Sequence, residues 1–437
     1  MNQSINRRIF LQQSAALGAG LAAWRTVSPV VAAEANAKLV VAVMGCNSRG
    51  MAHVDGLIAA PNVEIAYICD VDSRALEKGI KTVAKKTGKE PKGVKDFRRV
   101  LDDKSVDALT IATPNHWHAI ATIMACAAGK HVYVEKPGSH DPHESELMVA
   151  AARKYQRVVQ MGNQRRSMAG VIEAIEKLRA GVIGRVLTAR CYYTRNRPTI
   201  GHGKPAPVPE WLDWELWQGA APERPFVDNL VHYNWHWFWH WGNGELGNNA
   251  IHSVDVARWG LCVDAPRRVT FGGGRYRFQD DQETPDTGVA TFDYGDKLIT
   301  WEQSSSHDRK GETQSTTNFY GEGGMLSMIG TGYKLYDLKG KEMGGWKTSG
   351  EGDTVRGVGG EYEHFANFVE SVRQNKRPHS DIGECQKSTM LCHYANIAYR
   401  TGHTINVDQK TGKIVDDAKA AALWRRSEYR KGWEPKV

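Results

Sequence analysis

The chain has 437 residues, 41% hydrophobic and 24% charged, which suits a folded protein but exceeds one ordinary core, so two domains are expected. Its net charge of +8 comes from Lys and Arg interspersed with Asp and Glu, which excludes a nucleic-acid tail and leaves a solvated, slightly basic surface. Seven scattered Cys, with no CxxC spacing, exclude a disulfide framework and a zinc site, and Cys46, Cys69 and Cys126 read as small buried hydrophobes.

The chain opens with Asn6-Arg7-Arg8-Ile9-Phe10-Leu11, followed by an apolar, small-residue stretch from Ser14 to Trp24. This order resembles a twin-arginine export signal, with cleavage after Ala33 or Ala37. The apolar run is short for a bilayer span, so residues 1–33 read as a removable leader, with no stable membrane anchor, on a periplasmic or secreted protein.

From Lys38 the run Leu39-Val40-Val41-Ala42-Val43-Met44 predicts a buried parallel strand. It ends in Gly45-Cys46-Asn47-Ser48-Arg49-Gly50, and a helix-compatible stretch from Met51 to Ala60 follows. Strand, glycine turn and helix together make a phosphate-binding fingerprint: Gly45 permits the tight turn, Gly50 permits close helix–strand packing, and the helix N-terminus faces a pyrophosphate. Asn47 stands at the middle glycine position, where its tolerance of left-handed backbone softens the departure. A second strand from Glu64 to Cys69 ends at Asp70, placed to accept the ribose hydroxyls of NAD and to repel a 2′-phosphate. The competing role for Asp70 is a helix cap. Arg74 pairs with Asp70 or stacks on adenine, which disfavours NADP without excluding it. A third strand, Val106 to Ala112, leads into a loop Thr113-Pro114-Asn115-His116-Trp117-His118 and a helix through Ala128. A fourth, His131 to Val134, ends at Glu135-Lys136-Pro137. Both polar clusters lie at strand carboxyl ends, where ligands bind in open α/β sheets.

Thr-Pro-Asn-x-x-His, then Gly-Lys-His-Val, then Glu-Lys-Pro resembles the signature of the Gfo/Idh/MocA (glucose–fructose oxidoreductase / inositol dehydrogenase) family. The resemblance implies an α/β chain: a Rossmann domain over 38–160, then an α+β domain over 161–437 with a large, mainly antiparallel open sheet. It implies C-terminal helices packing back on the first domain. It also implies a homo-oligomer, dimer or tetramer. Ser48, Arg49, Thr113, Pro114, Asn115, His118, Glu135 and Lys136 then line the cofactor, and Lys136 lies beside the nicotinamide and the reacting hydroxyl. An ammonium there positions a substrate oxygen and stabilises developing alkoxide. In the family, Pro137 often follows a cis peptide.

In the second half, a helix is expected over Gly170–Ala180. Strands are expected from Gly184 to Tyr193, Gly288 to Tyr294, Leu298 to Gln303 and Thr316 to Gly321, with the exposed sheet face closing over the nicotinamide. Arg165 and Arg166 either grip substrate hydroxyls or a carboxylate, or form salt bridges. Gly242 to Asp255 resembles the family's helix start in which Asp precedes His by four residues. His252 matches the His, but Asn248 replaces the Asp and cannot take up a proton. His252, with an ordinary pKa, acts as general base, and Asn248 orients it or bonds substrate. Asp255 caps the helix, pairs with Arg258 or supports His252. The aromatic stretch from His232 to Trp241, with Trp211, Trp214 and Trp217 upstream, offers ring faces for a sugar or a domain-interface core. Trp235, His236 and Asn249 are assigned to a carbohydrate substrate. His232, His236 and His240 would align if helical, but no carboxylate completes a metal pattern. Gly321 to Gly359 is glycine-rich and reads as including a mobile loop. Helices are expected over Glu361–Gln374, Glu384–Tyr399 and Asp417–Arg426.

Three functions follow from this reading. The first is a nicotinamide-dependent oxidoreductase of a sugar, glycoside or polyol hydroxyl, holding its cofactor tightly because it is exported. The second is a redox-neutral NAD-dependent glycoside hydrolase or epimerase. The third is a non-catalytic dinucleotide- or sugar-binding protein.

Overall fold

A computed structural model describes residues 37–310, 312, 316–346 and 360–437. The twin-arginine segment lies outside the described residues. The first sheet carries β1 (Leu39–Met44), β2 (Val63–Cys69), β3 (Lys92–Val94), β4 (Ala108–Ile111), β5 (His131–Val134) and β6 (Val159–Met161). All pairings are parallel, in the order β3-β2-β1-β4-β5-β6. Helices α1 (Arg49–Ala59), α2 (Ser73–Thr87), α3 (Asn115–Ala127) and α4 (Pro142–Lys154) alternate with the strands. Val41, Ala42 and Val43 are fully buried, which is why β1 is apolar without alternation. The strand order reverses between β1 and β4, and that reversal opens a crevice at their carboxyl ends. The expected loop after β4 is shorter than the sequence suggests, because Pro114 caps α3 and Asn115, His116, Trp117 and His118 form its first turn.

The second sheet has ten strands: β7 (Val186–Thr194), β8 (Arg268–Gly274), β9 (Thr287–Asp293), β10 (Leu298–Ser304), β11 (Thr317–Gly321), β12 (Gly324–Ile329), β13 (Gly332–Tyr336), β14 (Glu342–Gly345), β15 (Ile405–Val407) and β16 (Ile414–Val415). Among the described residues only the β7–β10 pair of this sheet is parallel. Within the glycine-rich stretch from Gly321 to Gly359, which reads as including a mobile loop, residues 324–345 form three of these strands, with Leu326, Met328 and Tyr333 buried, and residues 347–359 lie outside the described residues. Alternation decides the sheet's faces. Ala290, Phe292, Ile299 and Trp301 turn inward under helices, while Thr188, Arg190, Thr300 and Glu302 turn outward.

The exposed face does not close over the crevice. Helices α5 (Ala169–Arg179), α6 (Ile251–Leu261) and α8 (Ile382–Thr401) cover the apolar face. Helix α8 touches β8 on one side and α4 and β6 of the first sheet on the other. The apolar face needs that cover, so the Thr-rich face is left pointing away. Between them, α7 (Glu361–Arg373) packs on α1. Phe365 stacks on Tyr133 with centroids 4.4 Å apart, and a Cβ on Gly56 would stand 2.3 Å from the Phe365 ring. The last expected helix shrinks to Ala418–Ala421, after which the chain turns to place Arg426 against Glu144. All seven Cys are free, and six are buried.

Phe365 is fully buried at this junction, so Phe365→Ala should destabilise the protein by about 3–5 kcal/mol in denaturant unfolding. An effect below about 1 kcal/mol would show that α7 contributes little to the core.

Candidate active site

A cavity fills the crevice. Its wall includes Gly45, Asn47, Ser48 and Arg49 after β1, Asp70 after β2, Thr113, Pro114, Asn115 and His118 after β4, and Glu135 and Lys136 after β5. Gly45 has φ +87°, and a Cβ there would meet the Ala112 carbonyl at 2.8 Å, so only glycine suits this turn. Gly50 lies behind the wall, where a Cβ would stand 1.8 Å from the Gly45 carbonyl oxygen. Asn47 does not adopt left-handed backbone, which explains how a residue with a side chain is accommodated there. Ser48 caps α1 without a side-chain hydrogen bond, and no acid occupies the first turn, so the positive end of the helix is open to an anion.

Asp70 is nearly buried. Its Oδ2 accepts from Cys46 N at 2.5 Å and its Oδ1 from Asp72 N at 2.9 Å. Burial raises its pKa despite these bonds. Each oxygen keeps a lone pair for a ribose hydroxyl. An open turn that side chains would fill, with a carboxylate at this separation along the sheet, fits a dinucleotide. Arg74 does not reach this wall: it pairs with Asp72 (Nη2–Oδ2 2.9 Å) and lies 3.5 Å from the Trp211 ring centroid. Its expected partner, Asp70, is instead held by main-chain N–H groups.

At the other end, Lys136 Nζ donates to Asn248 O at 2.7 Å and to Asn248 Oδ1 at 3.2 Å. The Lys136–Pro137 peptide is cis. Burial, partly offset by Glu135, lowers the Lys136 pKa to about 8. Asn248 belongs to a π-helical turn, Leu246–Ala250, that leads into α6 and brings the amide side chain to the lysine. His252, partly buried one turn on, makes no hydrogen bond among the described residues. Burial, reinforced by Lys136 and Arg165, pushes its pKa well below the ordinary histidine range, which corrects the expectation of a near-neutral base.

Other expected substrate contacts are engaged elsewhere. Arg166 forms a buried two-point pair with Asp255 (2.8 and 2.9 Å), so it does not grip substrate and Asp255 supports neither His252 nor a cap. Arg258 pairs instead with Asp264 at 2.9 Å and with Glu384. Arg165 donates to Thr316 Oγ1 at 2.7 Å. Asn249 donates to Glu245, which is buried and ion-paired to Arg197 (Nε–Oε1 2.5 Å).

The aromatic stretch is not one helix. His232 lies 2.8 Å from Asp72, His236 Nδ1 lies 2.6 Å from Tyr233 O, and His240 lies 2.8 Å from Pro222 O, so the three rings diverge. No group of three or more His, Cys, Asp or Glu side chains is placed to hold a metal among the described residues. Trp214, Trp217, Trp235 and Trp241 form a core cluster, yet Trp217, Trp235, His236 and Tyr233 also line the cavity. Trp235 and His236 are stacked at 3.6 Å. Sequence reasoning did not single out Tyr233, Arg197 or Phe97, the last of which also lines the cavity. Arg197 donates to Tyr233 OH at 3.0 Å, and Asn248 Nδ2 donates to the same hydroxyl at 3.4 Å. Arg197 follows a strand with no motif around it, and Phe97 reads only as a core residue, so neither carried a signal.

A doubly wound sheet with a glycine turn after β1, a carboxylate after β2 and a half-buried lysine after β5 defines the class of nicotinamide-dinucleotide-binding proteins. The chain belongs to the Gfo/Idh/MocA oxidoreductase family: residues 39–163 match its NAD-binding Rossmann fold and residues 217–327 its C-terminal domain. Levoglucosan dehydrogenase of Pseudarthrobacter phenanthrenivorans is 31% identical over 165 residues, which is 38% of this chain and 35% of that protein. A glycosyl hydrolase family 109 protein of Saccharopolyspora erythraea is 30% identical over 203 residues, 42% of this chain and 44% of its own. The chain thus spans less than half the length of these curated relatives. A solved levoglucosan dehydrogenase in complex with NADH and levoglucosan has the same fold, with a TM-score of 0.66 at 18% identity over 85% of this chain and 100% of that one.

Gly50→Ala cannot be absorbed without moving the Gly45 carbonyl. The variant should lose bound dinucleotide, measured as absorbance released on denaturation. Retention equal to the parent chain would separate this turn from cofactor binding.

Proposed function

We propose that the protein is an NAD-dependent oxidoreductase acting at a hydroxyl of a sugar, glycoside or polyol. The observation that carries the reading is the Lys136–Asn248 contact at the end of the dinucleotide cavity. When bound, the nicotinamide supplies the hydride acceptor. Two hydrogen-bonding positions of Lys136 Nζ are taken by the two oxygens of Asn248. The third is left for a substrate oxygen. Below about pH 8 that position is an N–H, which orients the hydroxyl; above it, a lone pair that takes the hydroxyl proton. His252, kept neutral by its surroundings, serves as a hydrogen-bond partner for a neighbouring hydroxyl. Trp235, His236 and Tyr233 wall the same cavity with ring faces and polar edges suited to a pyranose. Asp70 favours NAD over NADP.

Two further readings belong with this one. The Arg-Arg leader with its small-residue cleavage sites supports twin-arginine export to the periplasm or beyond. The Thr-rich sheet face, uncovered among the described residues, supports a homo-oligomer. The likeness to a family 109 glycosyl hydrolase favours, as a second function, redox-neutral turnover on a retained cofactor.

Oxidation of substrate should speed about tenfold per pH unit up to about pH 8 and level off above it, because the lysine must lose its proton. Lys136→Met should abolish that break and lower kcat by roughly 10²–10⁴. Asn248→Asp should move the break upward, since a carboxylate holds the ammonium form. A wild-type profile flat through pH 8 would remove Lys136 as the proton acceptor. Export is checked by fractionation: replacing Arg7 and Arg8 with Lys should keep the protein in the cytoplasm. Product with no net oxidation, beside stoichiometric released NAD(H), would select the redox-neutral reading.

A further inference from the structure

Arg197 and Glu245 form an ion pair that adjoins the lysine end of the crevice. Arg197 follows β7 by three residues, and its N–H donates to Ser305 O at 2.9 Å. Glu245 directly precedes the π-helical turn that carries Asn248. The Glu245 side chain has no exposed surface, and that of Arg197 keeps 19%. Two bonds join them, Nε–Oε1 at 2.5 Å and Nη2–Oε2 at 3.4 Å. The guanidinium also lies 4.8 Å from the Trp237 ring centroid and donates to Tyr193 OH at 3.2 Å. A buried pair adds little net stability, but it fixes whatever is bonded to it.

Each bond between this pair and the lysine can run only one way. A guanidinium and an ammonium donate and never accept, so Arg197 fills one lone pair of Tyr233 OH at 3.0 Å and Lys136 takes Asn248 Oδ1 at 3.2 Å. The amide therefore turns its Nδ2 to Tyr233 OH, 3.4 Å away. A continuous chain results, from Glu245 through Arg197, Tyr233 and Asn248 to Lys136.

The other ionisable groups that act on the lysine are Glu135 beside it, Arg49 from α1, His118 from α3, His236 from the aromatic stretch, His252 from α6 and Cys392 from α8. Burial keeps the three histidines neutral and the cysteine protonated. Glu135 is paired with Arg49 at 2.7 Å, so two ion pairs flank the lysine, each supplying one attraction and one repulsion. We propose that Arg197 and Glu245 are a positioning pair, a role that rests on Lys136 meeting the substrate hydroxyl. They hold Tyr233 and the Asn248 turn so that the amide oxygen faces Lys136, and they balance the charge around it.

The test is acetylation of the full-length chain with acetic anhydride over a pH series, with Lys136 read by mass spectrometry. Only the free amine reacts, so the midpoint of the profile reports the lysine itself and needs no substrate. The parent midpoint should stand at about 8. Glu245→Gln removes an attraction and should lower it by about one pH unit, whereas Arg197→Gln removes a repulsion and should raise it by about as much. Arg197→Lys, which keeps the charge, should stay within about 0.3 pH units of the parent. Tyr233→Phe keeps both charges but breaks the chain, and should lower the midpoint by about half a pH unit. Circular dichroism confirms that each variant is folded; the half-exposed Tyr233 ring makes Tyr233→Phe the deciding variant where a glutamine variant is not. Shifts of the same sign in the two glutamine variants, or no shift in either, overturn the proposal. An unchanged midpoint in Tyr233→Phe overturns the route through the amide. If the midpoints move as expected while the parent oxidises no sugar or polyol with NAD, the redox reading fails and the positioning pair stands.

Discussion

Glu135 closes β5 with a carboxylate that is almost fully buried, and the rest of the site is arranged around keeping it charged. Burial alone would protonate it. Arg49 at 2.7 Å and His53 at 3.2 Å outweigh that cost and hold its pKa well below the carboxylate range. Arg49 also reaches Glu361 at 2.5 Å, so one guanidinium joins the phosphate turn, the end of β5 and the start of α7. The same carboxylate accepts from Lys136 N at 3.2 Å, which ties the backbone of Lys136 to the glycine turn after β1. A buried pair is weak evidence for stability, but breaking one leaves a stranded charge, and that makes the relative placement of three segments hard to alter.

The second constraint is desolvation around Lys136. The lysine is half-buried, Glu135 is already shared with Arg49, and the nearby Glu245 is spent on Arg197. The lysine pKa thus falls to about 8, while His252 beside it cannot readily charge. An Asp at position 248 would have answered the lysine's charge; Asn answers only its hydrogen bonds. The substitution that looked like a loss in the sequence becomes, in this geometry, a way to poise the lysine. Tyr233 extends the arrangement, taking hydrogen bonds from both Arg197 and Asn248.

The tryptophan-rich stretch shows how one segment can serve both a core and a cavity wall. Trp214 and Trp217 stack at 4.8 Å, and Trp241 crosses Trp217 edge-on at 5.0 Å. These rings carry packing, while Trp235, stacked on His236, also lines the dinucleotide cavity. The split follows from the diverging histidines, each drawn to a different oxygen.

Much of the nucleotide-binding half was legible because its signals are local. An apolar run without alternation means a strand buried on both faces, and a glycine after it means a turn that no side chain permits. Asp70 followed by counting to the end of the next strand, whereas the role of Lys136 came from the likeness of its Glu-Lys-Pro motif to the family's. The second sheet's alternation was readable for the same reason. What the sequence could not determine was pairing across distance. Arg166 and Asp255 are 89 residues apart, Arg49 and Glu361 are 312 apart, and nothing in either segment names its partner. The same limit hid the covering of the sheet by α6 and α8, the role of Arg197 and the depression of His252. By itself the sequence determined which residues stand at strand ends and turns, since backbone geometry is decided by neighbours. Only the tertiary structure decided which charges meet, because burial and pairing depend on segments that the chain brings together last.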